Sequence, residues 1–134
     1  VGSEELIRDL NTIKYSVNPY NVNRMTQAAG VAAIGDGAYY SANAQTIIRT
    51  RERTAKALEQ LGFTVLPSKA NFLFAASAAV DGETLYRELK ARGVLVRHFT
   101  KPSIQNYCRI TIGTDEQMDI LLSRIQEILN GKGR

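Results

Sequence analysis

The stretch Tyr107 to Ile112 places an arginine where a charge is costly. Side chains alternate across a sheet, so Cys108, Ile110 and Ile112 fall on one face and Tyr107, Arg109 and Thr111 on the other. A guanidinium in mid-strand among apolar neighbours is expensive to bury without a partner. It must face water, meet a carboxylate of the protein, or receive an anionic ligand. Its planar fork of donors suits a carboxylate or phosphate in bidentate fashion. The same question attaches to Arg97, which shares a face with Leu95 and Phe99 in the β-prone run Val94 to Phe99. Spacing alone leaves both the structural salt bridge and the anion ligand standing, with the salt bridge slightly ahead.

The remaining reactive side chains offer less. His98 is the only histidine and has no second histidine or cysteine at metal-ligand spacing, so it reads as a satisfied structural residue. Cys108, the only cysteine, falls on the apolar face and reads as buried and inert. It leaves no internal disulfide, which suits a reducing cytosol. There is no glycine-rich phosphate loop and no nucleophile elbow. The formal charge of +4 is scattered along the chain and reads as ordinary solvation. The one tight basic cluster, Arg49, Arg51, Arg53 and Lys56, is interrupted by Glu52 within a helical pattern and reads as a solvated face. The apolar runs are too short to cross a bilayer, and no stretch at the start reads as a secretory signal, so none is expected. The expected location is cytoplasmic, with no membrane partner.

The elements that must position these side chains divide at Gly62. Before it, Leu6, Ile7, Leu10 and Ile13 recur at helical spacing and predict an amphipathic helix from Ser3 to Tyr15. Asn18-Pro19-Tyr20-Asn21 breaks it. An alanine-rich helix from about Val22 to Ile34 ends at Gly35-Asp36-Gly37, and a long helix follows from about Ala38 to Leu61, with Gly62 at its left-handed cap. The sparse apolar positions of that long helix suit a bridge between two bodies. After Gly62 the pattern reads strand (Phe63 to Leu66), strand (Asn71 to Ala75), helix, strand (Val94 to Phe99), strand (Tyr107 to Ile112), helix. Asp81 caps the first of these helices and Gly93 ends it. Thr114 and Gln117 have capping-box spacing before the last, which Gly131 ends. The expected class is α+β, a few-stranded sheet with helices on one face.

Several stretches resemble the histidinol-phosphate aminotransferases. They are Pro67-Ser-Lys-Ala-Asn71-Phe-Leu-Phe74, then Arg92-Gly-Val-Leu-Val-Arg-His-Phe99, then Arg109-Ile-Thr-Ile-Gly-Thr114. The opening from Gly2 through Lys14 to Asn21 is similar to the stretch that follows that family's cofactor-lysine segment. The resemblance runs over nearly the whole chain, in order. It implies a fold-type I enzyme that uses pyridoxal phosphate, is a homodimer, and acts on small phosphate and carboxylate substrates. It further implies that residues 1–37 come from the edge of the large cofactor domain, 38–62 from a bridging helix, and 63–134 from the small carboxyl-terminal α+β domain.

By that resemblance Arg109 is the arginine that binds the substrate anion, and Arg97 matches a second arginine near the substrate. The cofactor needs a lysine to hold its aldehyde. Neither Lys14 nor Lys69 matches the family's Ser-Lys segment, and the stacking and phosphate-binding segments have no match either. The chain is therefore expected to be a piece of a longer protein, with that lysine upstream of Val1, no covalently bound pyridoxal phosphate, no catalytic residue of its own and no activity alone. Two other readings stand beside this one. The first is another superfamily member, such as a threonine-phosphate decarboxylase. The second is a small basic module binding RNA or another anion, against which the strands carry no Lys/Arg-Gly-Phe stacking motif. Neither nucleic acid nor a metal is expected as a partner.

Overall fold

The computed structural model describes residues 2–17, 20 and 22–131. It divides into two compact units, Val1–Tyr40 and Ser41–Arg134.

The first unit contains helices α1 (Glu4–Val17) and α2 (Arg24–Gly35). Ser3 Oγ accepts from the Leu6 amide at 3.3 Å, and Glu4 and Glu5 place negative charge in the first turn of α1. Asn23 caps α2 by accepting from the Thr26 amide at 2.9 Å. Asp36 ends α2, and its carboxylate accepts from the Tyr39 amide at 3.2 Å as α3 (Gly37–Gln60) begins. The break expected at Asn18-Pro19-Tyr20-Asn21 rests on Asn18, Pro19 and Asn21, which lie outside the described residues. Neither α1 nor α2 has a buried residue, so the predicted apolar stripe Leu6, Ile7, Leu10, Ile13 is exposed.

The second unit is an antiparallel four-stranded sheet of order β1-β2-β4-β3. Its strands are β1 (Phe63–Leu66), β2 (Phe72–Ser77), β3 (Arg97–His98) and β4 (Tyr107–Thr111), with α4 (Gly82–Ala91) and α5 (Asp115–Gly131) between and after them. One sheet face is packed. Leu73 and Ala75 of β2 pair with Ile110 and Cys108 of β4, and all four are buried. Leu58 of α3, Leu85 and Leu89 of α4, and Met118, Leu121, Ile125 and Ile128 of α5 complete this core. Each fully buried leucine or isoleucine contributes about 1.5–3 kcal/mol. The α+β layer with helices on one face is the class expected.

The local caps follow the sequence closely. Asp81 Oδ1 accepts from the Thr84 amide at 2.9 Å. Thr114 and Gln117 form the reciprocal capping box, at 3.0 and 3.3 Å. Gly62 and Gly93 have φ of +82° and +79°, the left-handed values a helix end demands.

Two expectations need correction. The strand foreseen over Val94 to Phe99 is only Arg97–His98, and Leu95 is 77% exposed. The cause is the end of α4. Gly93 donates to Lys90 O at 3.1 Å and Val94 to Leu89 O at 2.9 Å, a Schellman pair that commits the Val94 amide to the helix and not to the sheet. The basic cluster on α3 is not a solvated face throughout. Arg51 is 9% exposed and donates to Ala70 O at 2.9 Å, while Arg53 pairs with Asp115 and Asp119 of α5. Their partners lie far along the chain, and no local pattern reports them. Among the described residues no helix is long and apolar enough to cross a membrane.

Gly82, the first residue of α4, sits hard against the turn before β4. An added Cβ would lie 2.5 Å from Gln105 O and 2.9 Å from the Asn106 carbonyl carbon. Gly82→Ala is expected to destabilise the fold by roughly 1–3 kcal/mol through backbone overlap. Gly131→Ala, where nothing lies within 4 Å, should stay within about 0.5 kcal/mol. Denaturant unfolding of both variants checks this, and equal losses would disprove the close approach. Limited proteolysis provides a second check. The unburied helices α1 and α2 should be cut before any site between Phe63 and Leu129.

Candidate functional site

The face of the sheet turned away from the core gathers the residues that spacing had singled out. Register sets Arg109 directly between Arg97 of β3 and Phe74 of β2. Like charges placed opposite one another across strands repel, so this pairing needs a compensating group. Among the described residues neither arginine has a carboxylate within ion-pair distance. Each lies over an aromatic ring instead. The Arg97 guanidinium is 5.0 Å from the Phe99 centroid, and that of Arg109 is 5.3 Å from Phe72. Arg109 Nε is buried with no hydrogen-bond partner among the described residues. An orphaned donor on a charged group costs on the order of 1–3 kcal/mol or more.

The rings form one connected platform. Phe74 stacks on Tyr107 at 4.8 Å and meets Phe99 edge-on at 5.9 Å. A concavity of about 520 Å³ opens above it, lined by Pro67, Ser68, Lys69, Phe72, Phe99 and Arg109 among others. One wall is the linker between β1 and β2. Ser68 folds this linker on itself: its hydroxyl donates to Phe72 O at 2.6 Å and accepts from the Ala70 amide at 3.1 Å. The Ile112 amide donates to Asn71 O at 2.9 Å and ties the linker to the end of β4. The aromatic platform and the role of Ser68 were not foreseen. The alternation Phe72, Phe74 opposite Tyr107 was a readable signal once the strands were known to pair.

The other singled-out residues lie elsewhere. His98 falls on the sheet face opposite to Arg97, where its Nε2 donates to Gln105 O at 2.7 Å and its ring stacks on Tyr86. Cys108 is fully buried and its thiol donates to Gly82 O at 3.3 Å. Burial, with a smaller contribution from the charge of Asp81, pushes the Cys108 thiol up to about 11. Among the described residues no group of three or more His, Cys, Asp or Glu could hold a metal ion.

Comparison with known proteins gives a consistent picture. The family model described as "Aminotransferase class I and II" matches residues 1–125. A histidinol-phosphate aminotransferase from Brachyspira hyodysenteriae is 46% identical over 129 residues, which is 96% of this chain and 36% of that protein. The chain thus spans about a third of the length of that curated relative. Among solved structures, the histidinol-phosphate aminotransferase of Clostridium acetobutylicum superposes with a TM-score of 0.75 at 24% identity, over 89% of this chain and 37% of that one. The Sinorhizobium meliloti enzyme of the same name, solved with pyridoxal-5′-phosphate, gives 0.71 at 22% identity over 90% and 34%. At these identities the two structures speak for the fold.

The buried thiol carries a testable pH dependence. Its ordinary value is 9.0 and its folded value about 11, so below pH 9 both states hold the proton and the stabilisation is complete. Between about pH 9 and 11 the unfolded chain releases the proton while the folded chain keeps it, so stability falls as pH rises. Unfolding free energies of the wild type and Cys108→Ala should converge or cross over that window alone. A disulfide reagent at pH 8 should leave Cys108 untouched until the chain is unfolded. Rapid labelling of folded protein would contradict the burial.

Proposed function

Because the chain belongs to the class I and II aminotransferases, we propose that it forms the substrate-anion end of a histidinol-phosphate aminotransferase. That enzyme exchanges an amino group between histidinol phosphate and 2-oxoglutarate in histidine biosynthesis. The observation that carries this reading is Arg109: a half-buried arginine on an aromatic floor, its Nε buried without a hydrogen-bond partner among the described residues, beside Arg97, which has no carboxylate partner among them either. The substrate chemistry agrees. Glutamate presents an α-carboxylate. Histidinol phosphate has none and carries its phosphate ester on the carbon at that position. One bidentate arginine serves both half-reactions, and Arg97 assists with the phosphate or with the distal carboxylate of glutamate. Phe72, Phe74 and Phe99 give that floor an apolar surface, and a low local dielectric strengthens such a contact.

Pyridoxal phosphate, when bound, supplies the electron sink for amino-group exchange. The residues described here do not fit it. Lys14, Lys56, Lys69, Lys90 and Lys101 are all exposed, and Lys69 alone among them lines the concavity, at its rim. None has the desolvated setting that an aldehyde-bearing lysine requires. In this reading the cofactor is held by residues outside this chain, which alone is inactive. Residues 1–37 then belong to the edge of a large domain, 38–62 to a bridge and 63–134 to the small domain of a homodimeric enzyme.

Replacing Arg109 by alanine in the complete enzyme should leave the fold intact, since the apolar face of β4 is untouched. The loss of a charge-assisted bidentate contact is worth on the order of 2–4 kcal/mol in a water-poor site. That is roughly 30- to 1000-fold in kcat/KM for both substrates. Arg109→Lys should restore only part, and Arg97→Ala should be milder. Steady-state kinetics with each substrate decide the matter. Near-normal constants for Arg109→Ala would return that residue to a structural role.

A further inference from the structure

We infer that Arg51 is a positioning residue for the anion site, acting through the main chain of the β1–β2 linker and not by touching the ligand; this rests on reading Arg109 as the anion-binding group. Arg51 is the one charged residue buried among the described residues, and its Nη1 donates to Ala70 O at 2.9 Å across a separation of 19 residues. A guanidinium is not withdrawn from water without a partner, and here the partner is a backbone carbonyl of the wall facing Arg109.

That wall is poorly held by packing. Leu66, Pro67 and Ser68 border the 520 Å³ concavity on one side and a second one of about 200 Å³, lined by Arg51 and Glu52, on the other. With open space on both sides, the position of the linker is set by hydrogen bonds. Ser68 closes it internally, Ile112 holds its far end, and among the described residues Arg51 alone ties it to a helix by a side-chain hydrogen bond. Phe72, on which the Arg109 guanidinium rests, is two residues beyond Ala70. A shift at Ala70 therefore reaches the floor beneath Arg109 and the rim carrying Lys69.

The test uses the 134-residue chain with inorganic phosphate as probe, read by ¹H–¹⁵N correlation spectra that include the Arg109 Nε–H signal. Arg51→Met should move the Lys69, Ala70 and Phe72 amides and the Arg109 Nε–H signal before any phosphate is added. It should weaken phosphate binding about three- to tenfold, the loss expected for one hydrogen bond acting at a distance. Arg51→Lys, which keeps a donor for Ala70 O, should recover at least half of both effects. Ser68→Ala, which loosens the same linker from within, should reproduce them and serves if Arg51→Met does not fold. Wild-type phosphate binding in Arg51→Met and Ser68→Ala, with Arg109→Ala losing it, would overturn the positioning role and leave Arg109 as the anion group. So would an unmoved Arg109 Nε–H signal. If Arg109→Ala binds phosphate as well as the wild type, the anion-site reading itself fails, and the inference with it.

Discussion

Everything at the site hangs on the register of β2 against β4. Because Leu73 faces Ile110 and Ala75 faces Cys108, both strands commit their alternate residues to the core. The intervening residues, Phe74 and Arg109, must then share the opposite face. A slip of one residue would drive Arg109 into the core and lift Ile110 and Cys108 out of it. The hydrophobic gain on one face therefore holds a charge in place on the other. The aromatic rings extend the same logic. They lie against the guanidinium groups without neutralising their charge.

Much of this was legible in the sequence, for reasons of range. Helix ends are written in residues three or four apart, so Asp81, Thr114, Gln117, Gly62 and Gly93 could be placed from neighbours alone. The two faces of β4 were equally plain, because alternation is local. The strand order was not. Nothing local to Tyr107–Thr111 says that it lies between β2 and β3, so the apposition of Arg97 and Arg109 had no signature. Arg51 was misread for the same reason. The charged residues nearest it on α3, Arg49, Glu52 and Arg53, are exposed, and its partner is a main-chain carbonyl, which no side-chain pattern announces. The family resemblance implied site roles for Arg109 and Arg97, yet it was silent on what surrounds and supports them.

The long helix α3 shows how one element serves two ends. Thr50 donates to Asp115 at 2.9 Å, and Arg53 reaches Asp115 and Asp119, so this helix grips the start of α5. One residue from Thr50, Arg51 turns toward the β1–β2 linker. Leu58 meanwhile is fully buried in the core. The helix thus couples the packed side of the unit to the wall of the open side, and its polar residues matter for geometry more than for solubility.

The Schellman end of α4 reaches beyond the helix it closes. By engaging the Val94 amide it leaves β3 only two residues long, at one margin of the sheet. The other margin, β1, runs for four. Long, flat margins invite a strand from a neighbouring molecule to add itself, and from there aggregation can spread. Here a glycine placed to finish a helix also trims the border of a sheet, so that a second molecule finds few free main-chain groups along β3 on which to build.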